Sequence, residues 1–207
     1  LWDADPTSPN FGQTVQQYNP QDTTINTVAF NRNGSRLASG GENGAISIWN
    51  TNNGVLTCQL RTNSPINSIA FNPRQASLVT GSDDGVVRFW SLTQCDFDRQ
   101  ITEHGTNPVN TLAFNADGSL LLSGGDDNIV VVYNVEEEEV TNRFGGHTGS
   151  IRNLAINDAG SRALSASADT SVRVLDIIGA EDDQTFTGHT VLLGDGEAIG
   201  VYNGTET

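Results

Sequence analysis

Short segments in which apolar and polar residues alternate recur along this chain at a nearly constant interval. Four of them span residues 25–30, 66–71, 109–114 and 151–156, and each begins with Ile or Val and ends with Phe or Ile. Alternation of this kind predicts a β-strand with one buried face. A polar turn rich in Asn, Asp, Gly or Pro follows each segment, which indicates a hairpin leading to a second strand.

The remainder of each unit follows the same order of signals. The second strand ends in a Ser- and Gly-rich step, and a tight polar turn leads to a third strand that carries a large residue. This residue is Trp49, Trp90, Tyr133 or Leu175, at successive offsets of 41, 43 and 42 residues by subtraction. A weaker fourth strand closes the unit, and no convincing amphipathic helix interrupts the series. The interval predicts a repeat architecture of four-stranded antiparallel meanders.

Several residues of the units match the pattern of WD40 repeats. The matching residues are Gly146-His147 and Gly188-His189 for the Gly-His step, Asp84, Asp127 and Asp169 for the turn Asp, Trp49 and Trp90 for the Trp, and Leu1-Trp2-Asp3 for the Trp-Asp ending. The units therefore resemble WD40 repeats, whose family forms β-propellers. The resemblance implies structural roles inside the blades for Trp49, Trp90, Asp84, Asp127, Asp169 and His147.

The predicted fold is all-β, a WD40-type β-propeller region with four full four-stranded blades and partial blades at both ends. The predicted units are the end of a preceding blade (1–18), four repeats (19–60, 61–101, 102–144 and 145–186) and a truncated fifth repeat (187–207). The favoured arrangement is an open arc, or a fragment of the seven-blade ring typical of the family. A closed five-blade ring, with one blade shared between the two ends of the chain, is the alternative.

The Gly-His step is incomplete in the first three units. The step is replaced by Pro20-Gln21 in the first unit and by Arg61-Thr62 in the second, and it is reversed as His104-Gly105 in the third. On this alignment only the fourth unit holds both the His and the turn Asp, as His147 and Asp169. In the family these residues form a hydrogen-bonded chain inside the blade, so we favour a structural role over a catalytic triad.

The residue before each turn Asp, or its equivalent Asn43, is the candidate for function. It is acidic in three units, as Glu42, Asp83 and Asp126, and it is Ala168 in the fourth. The resemblance implies that these turns lie on one face of the propeller, where a row of carboxylates would attract Arg or Lys from a partner. The alternative is that acidic residues simply suit exposed turns. The acidic run Glu136–Glu139 is expected on the opposite face as a solvated stretch.

The charge of the chain is strongly negative, at −15, and all ten basic residues are Arg. Such a surface repels phosphate backbones, so nucleic acid is not an expected partner. It suits a basic protein partner or a salt-rich environment. The two cysteines, Cys58 and Cys95, are expected to be thiols in a reducing compartment rather than a disulfide.

We therefore expect a non-catalytic protein-interaction scaffold in a multiprotein complex, which binds a basic Arg- or Lys-rich segment through Glu42, Asp83 and Asp126. The alternatives are a regulatory or sensor portion of a larger enzyme whose catalytic domain lies outside this chain, and a nonfunctional remnant. No cofactor and no metal are expected. The chain shows no signal peptide and no apolar run of about 18 residues, so the predicted location is cytoplasmic, with a nuclear one as the alternative.

Overall fold

The computed structural model describes residues 4–14, 16–18, 23–179 and 181–187, the last segment mainly by its backbone. These residues form sixteen strands and no helix. The strands make four separate antiparallel sheets of four strands each, and in every sheet the strands lie in chain order. The alternating segments recognised in the sequence are the first strands of the sheets. The predicted all-β fold is confirmed.

Each sheet is one blade of the propeller. Blade 1 contains β1 (Ile25–Phe30), β2 (Arg36–Gly41), β3 (Ala45–Asn50) and β4 (Leu56–Arg61). Blade 2 contains β5 (Ile66–Phe71), β6 (Ser77–Ser82), β7 (Val87–Ser91) and β8 (Asp96–Ile101). Blade 3 contains β9 (Val109–Phe114), β10 (Leu120–Gly125), β11 (Val130–Asn134) and β12 (Glu139–Phe144). Blade 4 contains β13 (Ile151–Ile156), β14 (Arg162–Ser167), β15 (Ser171–Asp176) and β16 (Glu181–Thr187).

The four blades stand side by side in an open arc, with their first strands β1, β5, β9 and β13 neighbouring one another. The open arc favoured from the sequence is confirmed, and the closed five-blade ring is not the arrangement of this structure. The predicted truncated repeat at residues 187–207, apart from Thr187 at the end of β16, and the Trp-Asp ending at residues 1–3 lie outside the described residues.

Neighbouring blades pack through the first residue of each first strand, which lies against a glycine of the preceding blade. A Cβ added to Gly40 would lie 2.5 Å from Ile66 Cγ2, and one added to Gly81 would lie 2.7 Å from Val109 Cγ1. At the third interface a Cβ on Gly124 would lie 2.6 Å from Ile151 Cγ2. Real side-chain contacts are longer than this, so the glycines allow the blades to approach closely. Hydrophobic clusters that extend from one blade into the next complete these interfaces.

The two cysteines form a disulfide, so the expectation of two thiols is wrong. Cys58 lies on β4 of blade 1, and Cys95 lies in the turn between β7 and β8 of blade 2. Their Cα atoms are 5.6 Å apart although the residues are 37 positions apart in the chain. The bond therefore links two neighbouring blades, a proximity that arises from blade packing and not from sequence spacing.

No helix of sufficient length and apolar character to cross a bilayer occurs within the part of the chain that the structure describes.

Replacing Gly124 by Ala tests the inter-blade packing. The new methyl group would meet the β-branched side chain of Ile151, so we expect a loss of about 1–3 kcal/mol in the free energy of unfolding, measured by urea denaturation. The control is Gly145→Ala, because a Cβ at Gly145 meets nothing within 4 Å. Equal stability of the two variants would contradict the proposed packing.

Candidate functional site

The turns between the second and third strands lie on one face of the arc, because all four blades have the same strand order. Each turn has an outward residue followed by an Asn or Asp that we call the inward residue, because its side chain bonds back to the turn; it is exposed at Asn43 and half-buried in the other three turns. We call the outward residues Glu42, Asp83, Asp126 and Ala168 the turn rim. The three acidic rim residues are exposed, as is Ala168.

The inward residue organises the backbone of each turn. Its side-chain oxygen accepts a hydrogen bond from the amide two positions later, at 3.0 Å for Asn43, 3.2 Å for Asp84 and Asp127, and 2.9 Å for Asp169. Asn and Asp favour turns because their side chains make this local bond. The same function is therefore served by Asn43 in blade 1, where the family pattern has Asp.

In blade 4 the inward carboxylate is the centre of a buried network. His147 Nδ1 is 2.8 Å from Asp169 Oδ2, and His147 Nε2 is 2.9 Å from Ser165 Oγ. Since a carboxylate can only accept, Nδ1 donates to Asp169, and Nε2 is paired with the serine hydroxyl. Asp169 also accepts from Ser171 Oγ at 2.6 Å and from the Thr148 amide at 2.9 Å.

These hydrogen bonds determine the acidity of Asp169. Burial by itself would raise the pKa of this carboxyl group, because it removes water from the charged form. The hydrogen bonds from Ser171, Thr148 and His147 together outweigh burial and hold the pKa of Asp169 well below its ordinary value. Asp169 is therefore an ionised structural acceptor at neutral pH.

Blade 3 contains the same network, which corrects the expectation that only the fourth unit has both residues. His104 Nδ1 is 2.8 Å from Asp127 Oδ2, and His104 Nε2 is 2.8 Å from Ser123 Oγ. The loop before β9 is one residue longer than the loop before β13, because His104 precedes Val109 by five positions and His147 precedes Ile151 by four. Because of this extra residue, alignment of the two loops from the strand side does not place His104 opposite His147. The offset of 43 between the two histidines, by subtraction, matches the repeat and could have revealed the equivalence.

Blades 1 and 2 stabilise their turns without a histidine in the described residues. In blade 2 the guanidinium of Arg88 donates to both oxygens of Asp84, at 3.1 and 2.7 Å. The indole of Trp90 is buried and donates to Thr80 Oγ1 at 3.0 Å. In blade 1 Trp49 is also buried, and its ring lies 5.5 Å from that of Tyr18.

Asparagines on the first strands hold two of the rim carboxylates. Asn67 Nδ2 donates to Asp83 Oδ1 at 2.7 Å, and Asn110 Nδ2 donates to Asp126 Oδ1 at 2.8 Å. The same amides donate across the interface to carbonyl oxygens of the next blade, at 3.3 Å to Val109 and 3.0 Å to Ile151. Each asparagine thus connects a rim acid to the neighbouring blade.

A β-bulge places these asparagines. The pairing of first and second strands shifts by one residue at Asn26, Asn67, Asn110 and Arg152, which are left without a partner in the ladder. A bulge redirects the side chain of the extra residue. Sequence reasoning missed this role, although an Asn follows the first residue of the first strand in three of the four units.

Asp126 receives further stabilisation of its negative charge. The pKa of Asp126 is lowered, first by the hydrogen bond from Asn110, while burial opposes the shift and Ser150 and Arg152 assist it. The guanidinium of Arg152 lies 3.9 Å from Asp126 Oδ1. Asp83 and Asp126 each use one carboxylate oxygen in the bond to asparagine, so the asparagines orient two of the three rim carboxylates.

The other ends of the four first strands, away from the turn rim, are mostly apolar. An open depression there is lined by Phe30, Phe71, Phe114 and Ile156, the last residues of the four first strands, with Arg32 and Asp158 among the other lining residues. No group of three or more His, Cys, Asp or Glu residues suited to a metal ion occurs in the described ranges.

These sheets and turn networks define the arc as a WD40-type β-propeller. The model for "WD domain, G-beta repeat" matches residues 138–176. The model for "Nucleolar protein 10-like, N-terminal domain" matches residues 4–138, which is more than half of the chain, and the chain belongs to that family. The resemblance to WD40 repeats seen in the sequence is confirmed.

A solved structure, that of U3-55K, shares the fold with a TM-score of 0.77 at 21% sequence identity. The alignment covers 83% of this chain and 54% of that chain, so this chain spans about half the length of U3-55K. No curated protein matches the sequence.

Replacing Asp169 by Asn tests the buried network of blade 4. The lowered pKa means that the carboxylate contributes stability fully at pH values above its unfolded pKa, near 4, and loses it as the pH falls toward the folded pKa. At pH 7 we expect Asp169→Asn to cost about 1–3 kcal/mol in the free energy of unfolding, because Asn keeps only one acceptor oxygen and its NH2 group faces donors that the second carboxylate oxygen accepted from. The difference from the unmodified chain should shrink between pH 4 and pH 2 in urea titrations. A difference independent of pH would contradict this account, and Asp158→Asn, on an exposed turn of the same blade, is the control.

Proposed function

We propose that this chain is a non-catalytic protein-interaction scaffold that binds a basic segment of a partner protein on the turn rim. The observation that carries the proposal is the row of exposed carboxylates of Glu42, Asp83 and Asp126 on three consecutive blades. Carboxylates pair well with Arg and Lys side chains, and a concave wall concentrates their field.

The rim is pre-organised on blades 2 and 3, which supports recognition over a merely solvated turn. Asn67 and Asn110 hold Asp83 and Asp126 through bonds that also reach the next blade. A carboxylate held in place loses less conformational freedom on binding than a mobile one. Asp83 and Asp126 are therefore the expected anchors, and Glu42, on the turn of blade 1, extends the row.

The charge of the turn rim differs between its two ends. In blade 4 the rim residue is Ala168 and the bulge residue is the cation Arg152, which lies beside Asp126. A basic ligand is repelled at this end and attracted on blades 1 to 3. The proposed binding segment therefore runs across the first three blades and stops before the fourth.

The histidine networks support a structural function and not catalysis. Ser123 and Ser165 are buried, at 2% and 0% exposure, and their hydroxyls are engaged with His104 and His147. A serine nucleophile must reach a substrate carbonyl, which a hydroxyl inside a blade does not. We therefore propose that the residues of the candidate triad act only as blade stabilisers.

The family description names a nucleolar protein, so we propose a nuclear location within a multiprotein complex instead of the cytoplasmic one expected first. The net charge of −15 favours a basic protein over nucleic acid as the contact of the turn rim. Imaging of a fluorescent fusion in cells tests the location, and exclusion from the nucleus would contradict it.

Charge reversal of the turn rim tests the binding proposal. The variant Glu42→Arg/Asp83→Arg/Asp126→Arg is compared with the unmodified chain for binding a fluorescein-labelled Arg–Gly peptide, measured by fluorescence anisotropy at physiological salt. Three lost ion pairs, at about 0.2–1 kcal/mol each, predict a loss of affinity on the order of tenfold. The neutral variant Asp83→Asn/Asp126→Asn should lose less.

The matched control reverses three carboxylates of the acidic run, Glu136 and Glu137 on the turn between β11 and β12 and Glu139 at the start of β12. Both triple variants have a net charge of −9 (−15 + 3 × 2), so they differ only in where the charge changes. We expect the control to bind the peptide within about threefold of the unmodified chain. Equal losses in the two variants, or no loss at the turn rim, would overturn the proposed site.

A further inference from the structure

The disulfide closes the outer edge of one particular blade interface. Cys58 and Cys95 are the only cysteines of the chain, and they lie on neighbouring blades. Cys58 belongs to the hydrophobic cluster shared by blades 1 and 2, and Cys95 packs against that cluster. The bond thus fastens the same surface that Ile66 and Gly40 close from the inner side.

Two apolar residues of β1 in blade 1 are more exposed than their equivalents in blade 2. Ile25 and Val28 of β1 are 41% and 64% exposed, whereas Ile66 and Ile69, their equivalents in blade 2, are 0% and 7% exposed. The inward turn residue of blade 1 is Asn43, which accepts from the Ala45 amide but takes no part in a network with histidine or arginine in the described residues. Among the described residues, most of the buried apolar side chains of blade 1 lie in the cluster that it shares with blade 2.

Cys95 lies at a turn position whose backbone is left-handed in three blades. Cys95 has φ 55°, in the left-handed region, and the equivalent residue of blade 1 is Gly54, with φ 71°. Blade 3 has Glu138 there, with φ 57°. A residue with a side chain pays a conformational cost in this region.

We propose that Cys58 and Cys95 form a redox latch that locks blade 1 onto blade 2 when oxidised and releases it when reduced. The reductant is a monothiol of the glutathione class. Its thiolate attacks the half-buried sulfur of Cys95, and the S–S bond breaks with Cys58 leaving as a thiolate that takes up a proton. A second monothiol cleaves the mixed disulfide at Cys95, so two thiols are oxidised to one disulfide and the protein gains two thiols.

The latch has a consequence for binding that rests on the proposed function. Glu42 lies on blade 1 and Asp83 on blade 2, so release of blade 1 changes the spacing of these two rim carboxylates. Thiol content and melting temperature do not depend on any ligand. A negative result in the peptide-binding test therefore does not contradict the latch. A negative result in the thiol and melting measurements does not contradict binding at the turn rim.

The experiment equilibrates the full chain in glutathione buffers of increasing reduced-to-oxidised ratio. Maleimide labelling and intact mass give the fraction of disulfide, and circular dichroism gives the melting temperature. We expect the bond to form in oxidised glutathione and to open in millimolar reduced glutathione. Opening should lower the melting temperature on the order of 10 °C, because the bond closes a long loop. Amide hydrogen exchange should accelerate in blade 1 and stay unchanged in blades 3 and 4.

The control is Cys58→Ala/Cys95→Ala. Its melting temperature should equal that of the reduced chain and should not change with the glutathione ratio. The reduced unmodified chain provides the same comparison if the double variant does not fold, and Cys95→Gly gives a thiol-free turn without the strained backbone. Two free thiols in oxidised glutathione, or a bond that survives millimolar reduced glutathione, would overturn the latch. So would an unchanged melting temperature on reduction.

Discussion

The arc depends on one repeated contact, in which an Ile or Val at the start of a blade lies against a glycine of the blade before it. Ile66, Val109 and Ile151 occupy these positions and are fully buried. The space they fill is the space that a side chain at Gly40, Gly81 or Gly124 would need. A sheet with a bulkier residue there would stand further from its neighbour, and the shared hydrophobic clusters would lose their contacts.

The close approach also determines the geometry of the turn face. Just after each packed Ile or Val, the first strand has a bulge, and the bulge residues Asn67 and Asn110 reach both a rim carboxylate and the next blade. Inside blades 3 and 4, the His–Asp–Ser networks hold the inward carboxylates of the same turns. The blade packing therefore places the bulges, and the bulge asparagines in turn hold the rim carboxylates Asp83 and Asp126.

Strand order and turn positions could be predicted from the sequence because they depend on local signals, such as alternation at residues 66–71 and the Asp-Gly turn at Asp84. What was missed depends on contacts between distant residues. His104 joins Asp127 across a loop one residue longer than its counterpart, and Asn67 acts through a bulge that composition does not reveal. The Cys58–Cys95 bond needs two blades already packed together. The partner-binding role of the turn rim remains a proposal.

The most direct test of the account is to map the binding face by NMR, using the Arg–Gly peptide and ¹⁵N-labelled chain. The account predicts amide shift changes concentrated at residues 41–44, 82–85 and 125–128, with little change at residues 167–170 of blade 4. Changes centred on residues 136–139, or spread evenly over all acidic turns, would contradict it. The first outcome would locate binding on the face that the blade contacts organise, and the second would mean that only net charge attracts the peptide.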